Sequence, residues 1–282
     1  METPVTPHEP ARQEFEREAL QWLPDVARFA LSLTREEASA DDLVQDTYLS
    51  AQQNWHQFIP GTSSRAWLFT ICRNRFYRLS ERDARQVAVD DPELEALAAA
   101  TLHTSASQDG LAEAFERSDI RDAVDAALAE LPAPFRDAAI LVDVNDETYE
   151  STAQILGVPI GTVRSRLFRA RRMLQERLLS HARDAGFAVP STMPTAPGGV
   201  TMEPMPDCVS VMRQLWDYLD GELSDERMAQ IRNHLTMCGR CKPQADFERS
   251  FLAAVAHARR DQRNPAPLRE RVREALRRQV SA

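Results

Sequence analysis

LPAPFRDAAILVDVNDETYESTAQILGVPIGTVRSRLFRARRMLQERL, running from Leu131 to Leu178, holds two helices and the turn between them. Tyr149 to Leu156 reads as a short amphipathic helix. Gly157 supplies a residue that enters the left-handed region without steric cost, and Pro159 sits where a new helix can open at Ile160. In that second helix, at about 100° per residue, Val163, Leu167, Ala170 and Leu174 share an apolar stripe. Arg164, Arg166, Arg169, Arg171 and Arg172 are expected to fan over the remaining face. An arginine-studded second helix behind a tight turn predicts a helix-turn-helix that enters a major groove, its guanidiniums reaching phosphates and guanine edges.

Outward from this stretch, strand signals are nearly absent and helical periodicity recurs. The expected fold class is therefore all-α, in three modules. Met1 to Phe187 carries 20 Arg against 31 Asp and Glu (net −11), and Ala188 to Ala282 carries 14 Lys and Arg against 12 acids (net +2), together the formal −9 of the chain. An acidic chain that reads DNA must concentrate its arginines locally, as this one does. The opening METPVTPHEP lacks a charged start followed by an apolar run, and no stretch of about 18 apolar residues occurs, so a cytoplasmic chain without a membrane span is expected.

The compositional boundaries are a first module over 11–85, an acidic connector over 86–118, the helix-turn-helix module over 119–187, a linker rich in Pro and Gly over 188–206, and a last module over 207–282. In the first module, Ser39 is expected to cap a helix with Asp41 and Asp42 in its first turn. Asp42 and Asp46, four apart, make an acidic surface with Gln45 and Leu49. A second helix, capped by Ser63 or Ser64 and running from Arg65 to about Arg85, places Leu68, Cys72 and Leu79 on a core stripe. A second stripe carries Trp67, Asn74 and Arg78. With Arg65, Arg73, Arg75, Arg82 and Arg85 on the same helix, this is the chemistry of a single-stranded nucleic-acid platform.

Four cysteines are too few for a disulfide scaffold at this length, and three of the four have company of another kind. His234, Cys238 and Cys241 form H-x3-C-x2-C, and Cys208 precedes them at the start of a helix. His234 and Cys238 are expected on one helical face, with Cys241 returning from the turn beyond. These four ligands complete a tetrahedron, which predicts one closed, structural zinc ion.

DDLVQDTYLSAQ, then SSRAWLFTICRNRFYRL, then the helix-turn-helix, in that order, resemble an extracytoplasmic-function sigma factor of bacterial RNA polymerase over roughly Phe15 to Leu179. The resemblance implies a region 2 that docks on core RNA polymerase through Asp42, Gln45, Asp46 and Leu49. It implies that Trp67, Asn74, Arg75 and Arg78 read and melt the −10 element, Asn74 matching the residue that holds a flipped base. It implies a region 4 that reads the −35 element of promoter DNA through Thr162, Arg164, Ser165, Phe168 and Arg169. AQQNWHQF (51–58) and the long connector depart from the family pattern, so promoter preference does not carry over. Residues from Asp207 to about Val280 resemble the zinc-binding anti-sigma domain, in particular its thiol-responsive branch, in which oxidation of the ligand thiols ejects zinc. Fused here, that domain is expected to contact the sigma regions within one molecule, at an effective concentration in the millimolar range across a linker of about 20 residues.

Two other function classes compete with this reading. A helix-turn-helix regulator with a zinc-stabilised dimerisation or partner-binding module would leave the Asp42 and Asp46 surface and the Trp67 and Asn74 stripe without a use. A zinc hydrolase needs an open coordination position, which four ligands close. No catalytic residue is expected.

Overall fold

The computed structural model describes residues 9–79, 121–184, 206–239, 241–258 and 265–280. The connector, nearly all of the linker, Arg82 and Arg85 lie outside the described residues. The described helices are α1 (Glu9–Ala19), α2 (Leu23–Thr34), α3 (Glu37–Gln53), α4 (Ser64–Leu79), α5 (Arg121–Glu130), α6 (Ala133–Ala139), α7 (Tyr149–Leu156), α8 (Ile160–Asp184), α9 (Pro206–Arg213), α10 (Leu215–Leu219), α11 (Asp225–Met237), α12 (Cys241–Ala258) and α13 (Ala266–Val280). Short 3-10 turns and one π-helical turn complete the regular structure, and no strand occurs among the described residues. The chain divides into two bodies, one of residues 1–86, 140–160 and 260–282, the other of 87–139 and 161–259.

In the first body, α2, α3 and α4 pack against one another. Their apolar faces bury Val26, Phe29, Leu43, Val44, Leu68 and Phe69, with the rings of Phe29 and Phe69 stacked 4.6 Å apart. Two hydroxyl groups inside this core have the partners that burial requires. Tyr48 donates to the Ala19 carbonyl at 3.0 Å, and Thr47 to the Leu43 carbonyl at 2.7 Å. Burial raises the Tyr48 hydroxyl and pushes the Cys72 thiol up to about 12.

One of the expected caps differs and the other stands. α3 begins at Glu37 behind Glu36, so Ser39 lies within its first turn and donates to the Glu36 carboxylate at 2.5 Å. Glu36 takes the extended backbone of a cap without making the side-chain bond. At α4 the cap is Ser63, whose hydroxyl accepts from the Ala66 amide at 3.2 Å. Ser64 instead accepts from the Trp22 indole at 3.0 Å and donates to the Glu18 carbonyl at 3.1 Å, tying α4 to the end of α1.

α7 lies on α4, and α13 lies on α3. Along α13, Leu268, Val272 and Leu276 recur every four residues and are all buried. Each such side chain contributes about 1.5–3 kcal/mol as an upper estimate, enough to hold a 15-residue helix in place. The last helix thus belongs to the body that contains α3, whereas α9 to α12 belong to the other.

The second body contains α5, α6, α8 after its first residue, and α9 to α12. The predicted stripe of α8 is buried at every position, Val163, Leu167, Ala170 and Leu174, and continues to Leu178. Val211, Met212, Leu215, Ile231, Leu235 and Ala245 form a small core around the four Cys and His residues.

Candidate nucleic-acid interface and metal centre

The helix-turn-helix has the local geometry that its residues require. Thr148 caps α7, its hydroxyl accepting from the Ser151 amide at 3.1 Å. Gly157 ends α7 at φ +66°, in the left-handed region where a side chain would be strained, and α8 opens at Ile160.

The basic face of α8 is not uniform. Arg171, expected on the open face, is 1% exposed. Its two terminal nitrogens donate to the two carboxylate oxygens of Asp220 at 2.7 and 2.9 Å, and its guanidinium lies 5.6 Å from the centre of the Trp216 ring. A planar fork against a carboxylate is the strong form of this bond. Arg164 Nε stands 3.6 Å from Asp217. Burial raises the Asp217 carboxyl even though the Arg164 charge opposes it. Phe168 meets Trp216 edge-on at 4.7 Å, and the Arg169 guanidinium lies 5.9 Å from the centre of the Phe135 ring. Thr162 and Ser165 are half-buried, Ser165 donating to the Thr162 carbonyl at 3.1 Å.

Beneath these contacts lies a buried carboxylate that sequence reasoning missed. Glu248 accepts from Trp216 Nε1 at 2.9 Å, from Gln175 at 2.5 Å and from Gln244 at 2.8 Å. Burial raises its carboxyl against those three hydrogen bonds and the charge of Arg171. Trp216, Asp217, Asp220 and Glu248 together engage four positions of α8: Arg164, Phe168, Arg171 and Gln175.

On α4, Asn74 and Arg78 are exposed and Arg75 is half-buried. Trp67 is half-buried, meeting Trp55 at 5.7 Å and Phe58 at 5.5 Å, so one side of its ring belongs to an aromatic cluster. Arg65, counted from sequence among the charges of this helix, is taken up inside the first body instead: its side chain is 17% exposed and pairs with Glu147. On α3, Asp42 is exposed, whereas Gln45, Asp46 and Leu49 are half-buried. Neighbouring Asp41 pairs with Arg271 of α13.

The metal candidate converges as its spacing predicts. Cys208, His234, Cys238 and Cys241 are all buried, and their ligand atoms lie within 4.8 Å of one another. Cys208 Sγ stands 3.7 Å from His234 Nε2 and 3.7 Å from Cys238 Sγ. Two thiolates on a tetrahedral ion with bonds of about 2.3 Å lie about 3.8 Å apart, so the donors fit such an ion. The local route differs slightly from expectation. Cys238 is the first residue beyond α11, with extended backbone, and Cys241 is the first residue of α12. Ser224 starts α11 by accepting from the Arg227 amide at 3.4 Å, which fixes the helix that presents His234. Burial, with the other two thiols close by, pushes the Cys241 thiol well up, so a metal entering this site must displace protons.

Comparison with known proteins agrees with these parts. The Sigma-70 region 2 model matches residues 19–86, the Sigma-70 region 4 model matches 121–174, and a zinc-finger model matches 208–242. The ECF RNA polymerase sigma factor EcfG of Rhodopseudomonas palustris is 38% identical over 169 residues, which cover 60% of this chain and 87% of that protein. The chain belongs to the ECF RNA polymerase sigma factors. It is accordingly a transcription initiation factor and not an enzyme. SigM of Bacillus subtilis, also an ECF sigma factor, is 27% identical over 154 residues, 55% of this chain and 88% of that protein. A solved structure of the sigma factor RpoE in complex with the anti-sigma factor NepR, from Bartonella quintana, is 33% identical and covers 59% of this chain and 97% of that chain, at a TM-score of 0.42. Among the described residues, no helix is long and apolar enough to cross a membrane.

Proposed function

We propose that this sigma factor is held inactive in cis by its own C-terminal segment. In this reading the parts are region 2 over 11–85, region 4 over 119–187 and an anti-sigma-like segment over 207–282, joined by the connector and the linker. Asp42, Gln45, Asp46 and Leu49 bind core RNA polymerase. Trp67, Asn74, Arg75 and Arg78 open and read the −10 element, and Thr162, Arg164, Ser165, Phe168 and Arg169 read the −35 element. The work is done by binding energy. Flipping one base costs a few kcal/mol, which contacts such as that of Asn74 offset only for the fitting base.

The observation that carries the cis reading is the bidentate Arg171–Asp220 pair under Trp216, with Phe168 against the same indole. Asp217 of α10 and Asp220, which caps its C-terminal end, occupy guanidiniums of the reading helix, where phosphates would otherwise lie. The α13 stripe on α3 supports the same reading at the polymerase-binding surface. The four Cys and His residues suit one zinc ion, which would cross-link α9, α11 and α12. The elements that grip α8 grow directly from those ligands. Trp216 and Asp220 follow Cys208 through α9 and α10, and Glu248 follows Cys241 along α12. Loss of the ion, by chelation or by oxidation of the thiols, therefore loosens the grip.

Run-off transcription with core polymerase tests this, comparing the full chain with one lacking residues 201–282. The reading expects weak transcription from the full chain and a rise on removal. Transcription from neither refutes the assigned sigma contacts, and equal transcription from both refutes the cis closure.

A further inference from the structure

We propose that Arg65, Asn145 and Glu147 form a second latch, which holds the helix-turn-helix closed on the −10 reading helix in the free chain and must open when a promoter is engaged. The inference uses the family assignment but none of the C-terminal contacts, since all three residues lie in regions 2 and 4.

Arg65 is the second residue of α4, and its groups are engaged within the first body. One terminal nitrogen donates to the Glu147 carboxylate, the other to the Asn145 carbonyl at 2.6 Å, and Nε stands 3.7 Å from Asp25. The guanidinium also lies 4.9 Å from the Phe69 ring centre and 5.9 Å from that of Trp22. Glu147 uses both of its oxygens, the second accepting from Ser151 in the first turn of α7. One carboxylate thereby ties the start of α4 to the start of α7.

The receiving segment is shaped for this purpose. Ile140–Val144 is a π-helical turn. Beyond it, the Asn145 amide and side chain both donate to the Ile140 carbonyl, at 3.1 and 2.7 Å, and the Glu147 amide donates to the Leu141 carbonyl at 3.0 Å. Asp146 adopts φ +55°, a left-handed conformation that a non-glycine residue occupies at a cost. That backbone turn delivers the Asn145 carbonyl and the Glu147 carboxylate to the same guanidinium.

Region 2 and region 4 are matched as separate regions, and this cluster joins them across 82 residues of chain. Promoter elements named −10 and −35 lie about 25 base pairs apart, roughly 85 Å along B-form DNA. α8 opens four residues after α7 ends, a reach of at most about 14 Å. Its 25 residues add about 38 Å. With α7 seated on α4, the two reading helices cannot occupy both elements, so engaging the promoter requires this contact to break.

The test uses the full chain with labels introduced as non-natural residues at Gln53 and Gln154, both exposed, and reads their separation by pulsed electron resonance. Wild-type protein alone should give one short distance, which lengthens on titration with core polymerase in the presence of a promoter duplex carrying both elements. Glu147→Gln keeps the shape of the side chain and removes its charge. It should lower the polymerase concentration at half-opening by at least about tenfold, the effect of losing one charge-assisted hydrogen bond. Glu147→Asp, which keeps the charge with shorter reach, should fall between, and thermal melting checks that each variant is folded. A long distance in the free wild type, or the same midpoint for folded Glu147→Gln and wild type, overturns the latch. The same titration on an Asp220→Ala background separates the two closures: a Glu147→Gln shift that persists there belongs to the latch, and one that vanishes there overturns it.

Discussion

Replacing Asp220 with Ala should convert the closed region 4 into a DNA-binding one, and the structure sets the size of the effect. The Arg171 side chain is 1% exposed and that of Asp220 12%, so solvent screens the pair little. Removing the carboxylate strips a buried guanidinium of its bidentate partner. Breaking a buried pair in this way costs about 3–5 kcal/mol, of which the cation–π contact restores nothing new because it is already present. The closed state alone bears this cost, since in the open state Arg171 is free to hydrate. Closure should therefore weaken by about 3 kcal/mol, roughly a hundredfold. Arg164 and Asp217 make the contrast. Their side chains are 41% and 23% exposed at 3.6 Å, so that pair is worth at most about 1 kcal/mol and Asp217→Ala should shift closure less than tenfold.

The assay is fluorescence anisotropy of a duplex carrying a selected −35 element, at one salt concentration, with full-length wild type, Asp220→Ala and Asp217→Ala. A closed fraction reduces apparent affinity by the population that is open, so the two variants should bind more tightly in the order stated. Bound metal measured in each variant confirms that the ligand cluster is intact. Equal affinity for wild type and metal-retaining Asp220→Ala, or a larger gain from Asp217→Ala, refutes the reasoning.

Asp46→Arg should abolish binding to core polymerase while Asn74→Ala leaves it intact and slows open-complex formation; co-purification and permanganate footprinting separate the two, and normal behaviour of both refutes the region 2 assignments. Purified chain should hold one zinc by elemental analysis, and stripping it should expose Cys208, Cys238 and Cys241 to a thiol reagent while Cys72, held up to about 12, stays unlabelled in the folded protein; labelling of Cys72 at the rate of the others contradicts this. Because burial raises the Glu248 carboxyl above its ordinary value, its ionised form disfavours the closed state at neutral pH, and the penalty lifts as pH falls through that raised value toward the ordinary glutamate range, below which no further change is expected. In the metal-saturated protein, −35 affinity should fall as pH drops from neutral to mildly acidic, and Glu248→Gln should flatten that slope, leaving the smaller contribution of Asp217, whose carboxyl is raised in the same direction.

What the sequence made legible were features fixed by local chemistry. Gly157 and Pro159 set a turn within a few residues, and the H-x3-C-x2-C spacing sets three ligands within one helix end and the next helix start. Both therefore stand where expected, as does the buried stripe of α8. The helix start at Glu37 carries no sequence signal, because the extended residue before it, Glu36, makes no side-chain cap, while Ser39 merely has the chemistry of one. The partners of Arg65 and Arg171 were out of reach for another reason. A guanidinium on a helix surface looks the same in sequence whether it faces water, phosphate or a carboxylate 49 or 82 residues away.

One signal for Arg171 was nevertheless present. It stands four residues after Leu167 and three before Leu174, at the edge of the apolar stripe, and Gln175 follows four residues later on the same side. A cation and an amide beside a buried stripe need partners, because neither is stable there unpaired. The protein meets that need with two acids, Asp220 and Glu248, carried on helices that also present metal ligands or follow directly from them. Under the proposed cis closure, polar groups at that edge would make the closed state conditional in a way that leucines could not. An apolar contact would persist whatever happened at the thiols, whereas a buried ion pair holds only while its carboxylate is kept in position. The placement of Arg171 and Gln175 thus suits a grip that is strong when the ligand cluster is intact and weak when it is not.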